Sequence, residues 1–180
     1  MLISIFLVTK SDIKKFTTTL NLLLNNTIHI YYTDHNLLRQ FLNINNDCQF
    51  KIYYNQKLIN LKQLSLEHFK KSNEDIFFNI DSNVSLTNLS FLDKLNDSTI
   101  IGPLIKNKTT LFSNFWGDVD ANGFYKRSTN YINILNNSSQ GIFECKYINS
   151  CFAFRKSLID QVSTYYLDNF KEVWDYDATF

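Results

Sequence analysis

The sequence predicts an α/β fold with a mostly parallel central sheet and helices on both faces. In the first half of the chain, apolar segments of strand length alternate with segments of helical period, as is typical of parallel sheets covered by helices. One short and nearly continuous apolar run, residues 76–80, has the composition of a strand buried on both faces. It ends abruptly in Asp81-Ser82-Asn83, which places polar side chains at the carboxyl end of that strand. With 180 residues, the chain is long enough to bury one substantial core.

The elements of the first half follow from hydrophobic spacing. Strands are predicted at residues 1–8, 28–32, 50–54 and 76–80. Helices are predicted between them, the first after a possible cap at Ser11-Asp12, because apolar side chains recur at helical spacing. These side chains are Ile13, Phe16, Leu20, Leu23 and Leu24, then Leu37, Leu38, Phe41 and Leu42, and finally Leu61, Leu64, Leu66 and Phe69 within residues 58–71.

The second half is less regular. A strand is predicted at residues 98–105, at an edge or a bulge because it contains Pro103, and Asn122-Gly123 indicates a hairpin turn. Thr87-Asn88 can begin a helix that continues through residues 91–92. Two further strands are predicted at residues 131–135 and 141–145, and a last amphipathic helix at residues 157–170.

Composition argues against several classes of function. The net charge is +1 and the charges are interspersed, so the basic surface of a nucleic-acid binder is not expected. No apolar run approaches the roughly 20 residues of a membrane-spanning helix. Residues 1–8 lack the basic region and cleavage site of a signal peptide, which favours a cytoplasmic location. The three cysteines form no Cys-x-x-Cys pair, and the three histidines are scattered, so zinc and iron sites are not expected either.

Polar residues follow three predicted strands. Thr9, Asp34 and the Asp81–Asn83 pair would share one edge of a parallel sheet, where ligands bind in open α/β folds. A nucleotide lying there would have its base near Thr9, its ribose at Asp34 and its phosphates reached through a cation at Asp81. A simpler interpretation is that Asp34 caps the next helix and that Asp81-Ser82-Asn83 forms a turn.

Several motifs together resemble one family. They are residues 79–88 (Asn-Ile-Asp-Ser-Asn-Val-Ser-Leu-Thr-Asn), 101–104 (Ile-Gly-Pro-Leu), 113–117 (Ser-Asn-Phe-Trp-Gly), 123–128 (Gly-Phe-Tyr-Lys-Arg-Ser) with Tyr131, 147–149 (Tyr-Ile-Asn) and 175–177 (Asp-Tyr-Asp). In this order, they resemble the accessory glycosyltransferase-like domain of the procollagen lysyl hydroxylase family. The resemblance implies the type-A glycosyltransferase (GT-A) fold over residues 1–180, with a nucleotide-binding half at 1–90 and an acceptor-side half at 91–180.

The resemblance also implies a donor site. In catalytic members of such families an Asp-x-Asp turn binds manganese, which bridges the diphosphate of a UDP-sugar and stabilises the charge on the departing UDP. Asp81 and Asn83 occupy those two positions, and Asn83 departs from the pattern because it lacks the second negative charge. Asn149 and Ser150 would lie in the loop that faces the donor sugar.

The acceptor side follows from the same resemblance. Asp175 and Asp177 fall where related enzymes carry acidic residues that act as a base or stabilise the sugar cation, although an acidic helix start would give the same pattern. Trp116 and Phe115 would form an acceptor platform, unless they belong to the core.

Two functions remain open from the sequence. One is transfer of a sugar from a UDP-sugar to hydroxylysine or galactosyl-hydroxylysine in a collagen-like polypeptide. The other is a non-catalytic module that acts as a scaffold, a dimerisation surface or a collagen-binding surface beside a lysyl hydroxylase. Hydroxylation itself is not expected, because the iron-binding hydroxylase domain is missing from this sequence, and a viral or microbial relative acting in a cytoplasm is expected.

Overall fold

A five-stranded sheet forms the centre of the fold. The computed structural model describes residues 1–9, 11–45, 48–106, 113–116, 118–121, 125–145 and 147–163. Its sheet has the strand order β3-β2-β1-β4-β9, with β1 to β4 parallel and β9 antiparallel to β4. The strands are β1 (Leu2–Leu7), β2 (Thr27–Tyr32), β3 (Lys51–Tyr54), β4 (Ile76–Asp81) and β9 (Cys151–Arg155). The predicted fold class is therefore confirmed.

Helices cover both faces of this sheet. Helices α1 (Ile13–Asn21) and α2 (His35–Ile44) pack on the face to which Ile3 and Ile5 of β1 contribute. Helix α3 (Leu58–Lys71) packs on the opposite face, where it meets Leu2 and Phe6 of the same strand. Successive side chains of a strand point to opposite faces, and all six residues of β1 are buried, so both faces of this strand need a covering layer.

Helix starts agree with the predicted capping. The Asp12 side chain accepts a hydrogen bond from the Lys15 backbone N–H at the start of α1. Asp34 Oδ1 accepts from the backbone N–H groups of Asn36 and Leu37 at the start of α2. The capping interpretation of Asp34 is therefore confirmed.

The second half differs from the prediction in four places. Residues 131–135 form a helix, α4 (Tyr131–Leu135), because Tyr131, Ile134 and Leu135 are buried at helical spacing. Residues 141–145 form no strand and are mostly exposed. Residues 98–105 contribute only one isolated bridge, between Ile101 and Ala153. The segment after Thr87 forms a short 3-10 helix, Ser90–Lys94.

The remaining predictions fall partly outside the described residues. The hairpin is supported by antiparallel pairing of β6 (Asp118–Val119) with β7 (Tyr125–Lys126), but its turn at Asn122-Gly123 lies outside them. The last helix begins as a 3-10 turn, Lys156–Leu158, and continues at residues 159–163, beyond which the description ends. A third two-stranded pairing joins β5 (Phe115–Trp116) to β8 (Tyr147–Ile148).

Strand β9 was not predicted from the sequence. It pairs with the length of β4, and its side chains Phe152 and Phe154 pack with Phe77 and Phe69. Because β9 runs antiparallel to β4, its first residue lies at the carboxyl end of β4. The segment just before β9 is thereby placed beside Asp81.

Among the described residues, no helix combines the length and the apolar character needed to cross a membrane.

Candidate functional site

Asp81 is the last residue of β4 and lies at the carboxyl edge of the sheet. It is only 8% exposed. Its backbone N–H donates to the carbonyl oxygen of Ser150 at 2.8 Å, which ties the strand end to the turn before β9. Burial, followed by the Asp81 carboxylate, raises the pKa of the neighbouring Cys151 thiol. The thiol is thus protonated at neutral pH and does not act as a nucleophile.

The loop after β1 is fixed to the same strand end by Ser82. Ser82 Oγ accepts from the Val8 backbone N–H at 3.1 Å and lies 2.6 Å from Ser11 Oγ. The Ser82 backbone N–H donates to the Phe6 carbonyl oxygen at 2.9 Å. Thr9, which is exposed, sits between these two attachment points at Val8 and Ser11. The structure therefore brings the Thr9 loop and Asp81 to the same edge.

The Asn149–Ser150 turn adopts a strained backbone beside Asp81. Ser150 has a φ of 62°, and the Cys151 N–H donates to the Asn149 carbonyl oxygen at 2.6 Å across a three-residue turn. The Asn149 side chain accepts from the Ser150 N–H at 2.7 Å. A non-glycine residue with a positive φ is uncommon, and such residues cluster at functional sites. The predicted donor-facing pair thus abuts the predicted phosphate edge.

Asn114 supports that turn from behind. Its backbone carbonyl accepts from the Asn149 N–H at 2.7 Å. Its side chain donates to the Pro103 carbonyl at 2.9 Å and accepts from the Ile105 N–H at 2.7 Å. Asn114 is buried, so these hydrogen bonds satisfy polar groups that water does not reach. It joins the segment of residues 103–105 to the loop before β9.

A lysine occupies the space beside the Asp81 carboxylate. Lys62, on α3, donates from Nζ to Asp81 Oδ1 at 3.1 Å and to Asn79 Oδ1 at 2.9 Å. Its ammonium also lies 3.7 Å from the centroid of the Phe6 ring. Burial lowers the pKa of Lys62, and the Asp81 carboxylate opposes this by favouring the charged form.

The other predicted site residues are placed less closely. Asn83 is exposed beyond the turn that follows Asp81, and Asp34 is exposed at the start of α2, where its Oδ1 is engaged in capping. Phe115 and Trp116 belong to β5, whose partner strand β8 leads directly into Asn149. Asp175 and Asp177 lie outside the described residues. Their roles stay predictions.

The donor atoms at Asp81 do not fit a manganese ion well. Mn²⁺ favours carboxylate and other oxygen ligands. Here one carboxylate is already paired with an ammonium, and the second position of the motif is an exposed neutral amide. Within the described part of the chain, no three His, Cys, Asp or Glu side chains gather as a metal-binding group. The described residues around Asp81 therefore provide no pair of carboxylates for a metal ion.

Sequence reasoning missed Lys62 and Asn79, although the sequence contains a signal for each. Lys62 stands three, four and seven positions before Ser65, Leu66 and Phe69, which are buried residues of α3. A lysine on that stripe must find a partner within the fold. Asn79 interrupts an otherwise apolar buried strand, which equally calls for a polar partner.

The chain is similar in sequence to a known family and to known proteins. The family described as "Glycosyltransferase family 25, N-terminal domain" matches residues 2–180. The chain is 31% identical over 116 residues to "Procollagen lysyl hydroxylase and glycosyltransferase" of Acanthamoeba polyphaga mimivirus, covering 63% of this chain and 13% of that protein. It is 39% identical over 77 residues to "Procollagen-lysine,2-oxoglutarate 5-dioxygenase 2" of Mus musculus, covering 41% of this chain and 10% of that one.

A solved structure of low identity also matches. It is a mannosyltransferase from Pyrobaculum calidifontis in complex with GDP-Man and Mn²⁺, with a TM-score of 0.45 and 11% identity, over 89% of this chain and 46% of that chain. The two curated relatives are much longer than this chain, whose aligned part spans about a tenth of each.

Proposed function

The chain belongs to glycosyltransferase family 25, as an N-terminal domain of that family. We propose that it transfers a sugar from a UDP-sugar to a collagen-like polypeptide. The proposed acceptor is the hydroxyl group of hydroxylysine, or of galactosyl-hydroxylysine. The relatives named for lysyl hydroxylation and glycosyl transfer support this choice of acceptor.

The observation that carries the proposal is the meeting of three segments at one sheet edge. The Thr9 loop is held by Ser82, and the Asn149–Ser150 turn is held by the Asp81 backbone. Ligands of open α/β sheets bind outside the carboxyl ends of the strands. Polar side chains and backbone groups from both halves of the chain therefore face a common edge, as a donor site requires.

The proposed roles divide along this edge. Thr9 would lie near the base, Asp34 near the ribose, and Asn149 and Ser150 near the sugar. Asp34 keeps an exposed carboxylate, of which capping engages Oδ1. Trp116 and Phe115 would flank the acceptor, because β5 adjoins the strand that enters the Asn149 turn.

In the proposed reaction, the acceptor hydroxyl oxygen attacks the anomeric carbon of the donor sugar. The bond from that carbon to the UDP phosphate oxygen breaks, and UDP leaves with the electron pair. The hydroxyl proton passes to a carboxylate, for which Asp175 and Asp177 are the candidates. The acceptor hydroxyl and the anomeric carbon must be held within van der Waals contact for this step.

A non-catalytic module is the second candidate. It is favoured by the pairing of Asp81 with Lys62, together with Asn83 in place of a second carboxylate. In that case the fold would present a surface to collagen, to a second copy of the chain or to a lysyl hydroxylase. The shared fold does not separate these functions.

The test is a transfer assay paired with a binding titration. The chain is incubated with UDP-galactose or UDP-glucose and a collagen-like peptide containing hydroxylysine, and glycosylated peptide is measured by mass spectrometry. A lysine peptide is the acceptor control. Calorimetric titration with UDP measures donor binding in wild type, in Asp81→Asn and in Asp93→Asn, a control aspartate that is exposed in the 3-10 helix. UDP binding without transfer would favour the module, and absence of both would refute the enzyme.

A further inference from the structure

The ammonium of Lys62 is held on three sides at the carboxyl edge of β4. It contacts Asp81 Oδ1 at 3.1 Å and Asn79 Oδ1 at 2.9 Å, and it lies over the face of the Phe6 ring at 3.7 Å from its centroid. The side chains of Lys62 and Asp81 are 13% and 11% exposed. An anionic oxygen, a carbonyl-type oxygen and the negative face of a ring are all groups that attract a cation.

This arrangement neutralises the carboxylate that a metal ion would need. The paired charges of Lys62 and Asp81 sum to zero, and Asn83 adds none. The affinity of oxygen sites for divalent cations depends on the number of ligand charges. A divalent ion entering beside Asp81 would be repelled by the positive charge of the Lys62 ammonium. Among the described contacts of Lys62, Asn79 and the Phe6 ring would then be left to offset the charge of the ammonium.

We propose that the Lys62 ammonium takes the position at Asp81 that a divalent cation would otherwise occupy, so that nucleotide binding is independent of metal. The first part stands on the described contacts alone, and the part about the nucleotide rests on the function proposed above. An ammonium has three N–H donors, and the contacts of Lys62 with the described residues use two. The Phe6 ring lies on the third side of the ammonium, whose positive charge would attract an anionic oxygen of a bound diphosphate.

Manganese alone is the first probe. Free Mn²⁺ is measured by electron paramagnetic resonance while wild-type chain is added, and no binding at Asp81 tighter than about 1 mM is expected. Lys62→Met frees the carboxylate, so Mn²⁺ affinity should rise by at least about tenfold, and further in Lys62→Met/Asn83→Asp. Adding Asp81→Asn to Lys62→Met should abolish the gain. Circular dichroism checks that each variant is folded.

The wild-type measurement decides this part even if Lys62→Met fails to fold. Micromolar binding of Mn²⁺ by wild type that Asp81→Asn abolishes would overturn the proposal. Binding that survives Asp81→Asn lies elsewhere in the chain, and the position at Asp81 then remains with Lys62. A folded Lys62→Met that gains no affinity would also contradict the proposal, since the freed carboxylate should then attract the ion.

UDP is the second probe. Its dissociation constant is measured by calorimetry with EDTA and again with Mn²⁺, and the two values should agree within about twofold if Lys62 supplies the charge. A tightening of tenfold or more by Mn²⁺ that is lost in Asp81→Asn would overturn the proposal. Absence of UDP binding in both buffers would refute the proposed function and metal-independent nucleotide binding together, while the manganese titration still decides which cation occupies Asp81.

Discussion

The hydroxyl group of Tyr31 lies 2.9 Å from Nδ1 of His68, inside a cluster of rings that α3 closes against β2 and β3. His29 Nδ1 lies 3.3 Å from the same hydroxyl, and the ring of Tyr53 lies 4.2 Å from that of His68 between centroids. His29 Nε2 is buried without a hydrogen-bond partner among the described residues. The cluster therefore surrounds the imidazole rings of His29 and His68 with groups that favour their neutral forms.

Acid should therefore destabilise the fold through His29. Burial, then His68 and Lys51, lower the pKa of His29 from 6.5 to about 4. The unfolded chain binds this proton near pH 6.5, so the free energy of unfolding falls as the pH drops from about 6.5 to about 4. The full loss from His29 is about 3 kcal/mol. Urea unfolding between pH 4 and 8 measures it.

His68 adds to this effect in the same direction. Burial is the main cause that lowers its pKa, with Lys71 and Lys51 contributing and Glu67 opposing. The variant His29→Phe should flatten much of the pH dependence between 4 and 6.5, whereas His35→Gln, at an exposed position, serves as the matched control. An equally steep pH profile in His29→Phe and wild type would rule out His29 as the source.

Asn114→Ala should loosen the Asn149–Ser150 turn. The substitution leaves the Pro103 carbonyl and the Ile105 N–H without their partner, at a cost of about 2 kcal/mol or more. Thermal and urea unfolding measure this cost, and UDP titration measures the effect on the proposed donor site. Asn133→Ala, on the exposed face of α4, is the matched control and should unfold like wild type. Equal stability of the two variants would show that the side-chain hydrogen bonds of Asn114 to Pro103 and Ile105 are dispensable.

Ser82→Ala should release the Thr9 loop from the end of β4. The Val8 N–H loses its acceptor and Ser11 loses a partner, which costs about 1–2 kcal/mol. Hydrogen exchange at the Val8 amide should accelerate more than exchange at the amides within β1, since the effect is local. Ser85→Ala, three residues further and exposed, is the control. Unchanged exchange at Val8 would contradict the proposed attachment.

The sequence predicts the first half of this fold well because its signals are local. Strands β1, β2 and β4 are mostly apolar segments of strand length, and α3 has the bounds that its side chains at helical period predict. A strand is predicted at residues 131–135, where isoleucine and tyrosine favour strands, yet the burial of Tyr131, Ile134 and Leu135 at helical spacing decides for a helix. Intrinsic preference was overruled there by packing.

The site was only partly predictable for a different reason. Asp81 and Asn149 could be proposed as site residues from their motifs, but the contact of Asp81 with Ser150 depends on β9 returning antiparallel along β4. The pairing of Lys62 with Asp81 joins residues of two elements, and its sequence signal says that a partner is needed without saying which. Such long-range polar pairings are fixed by the tertiary fold.

Gly102→Ala should be costly because two elements meet at this glycine. A Cβ atom there would lie 2.4 Å from the Cys151 carbonyl oxygen and 2.4 Å from Cδ1 of Ile148. The isoleucine can rotate, but the backbone oxygen cannot move without disturbing the Ile101–Ala153 bridge. Overpacking of this kind costs about 1–3 kcal/mol. Urea unfolding checks the value, and a variant as stable as wild type would mean that β9 shifts freely.

The Lys62–Asp81 pair should show strong energetic coupling in a double-mutant cycle. Lys62→Met leaves the buried carboxylate without its charge partner, which costs about 3–5 kcal/mol, while the double variant Lys62→Met/Asp81→Asn should recover part of that loss. Urea unfolding of the four proteins gives the coupling energy.

The exposed pair Lys70–Asp160 provides the matched control for this cycle. Its side chains are 59% and 79% exposed, so its coupling should be below about 1 kcal/mol and should weaken as salt is added. The coupling of Lys62 with Asp81 should persist in high salt, because solvent ions do not enter between buried charges. If both pairs lost their coupling equally in 1 M salt (about 3 Å screening length), the Lys62 ammonium would be in contact with solvent and not a fixed internal cation.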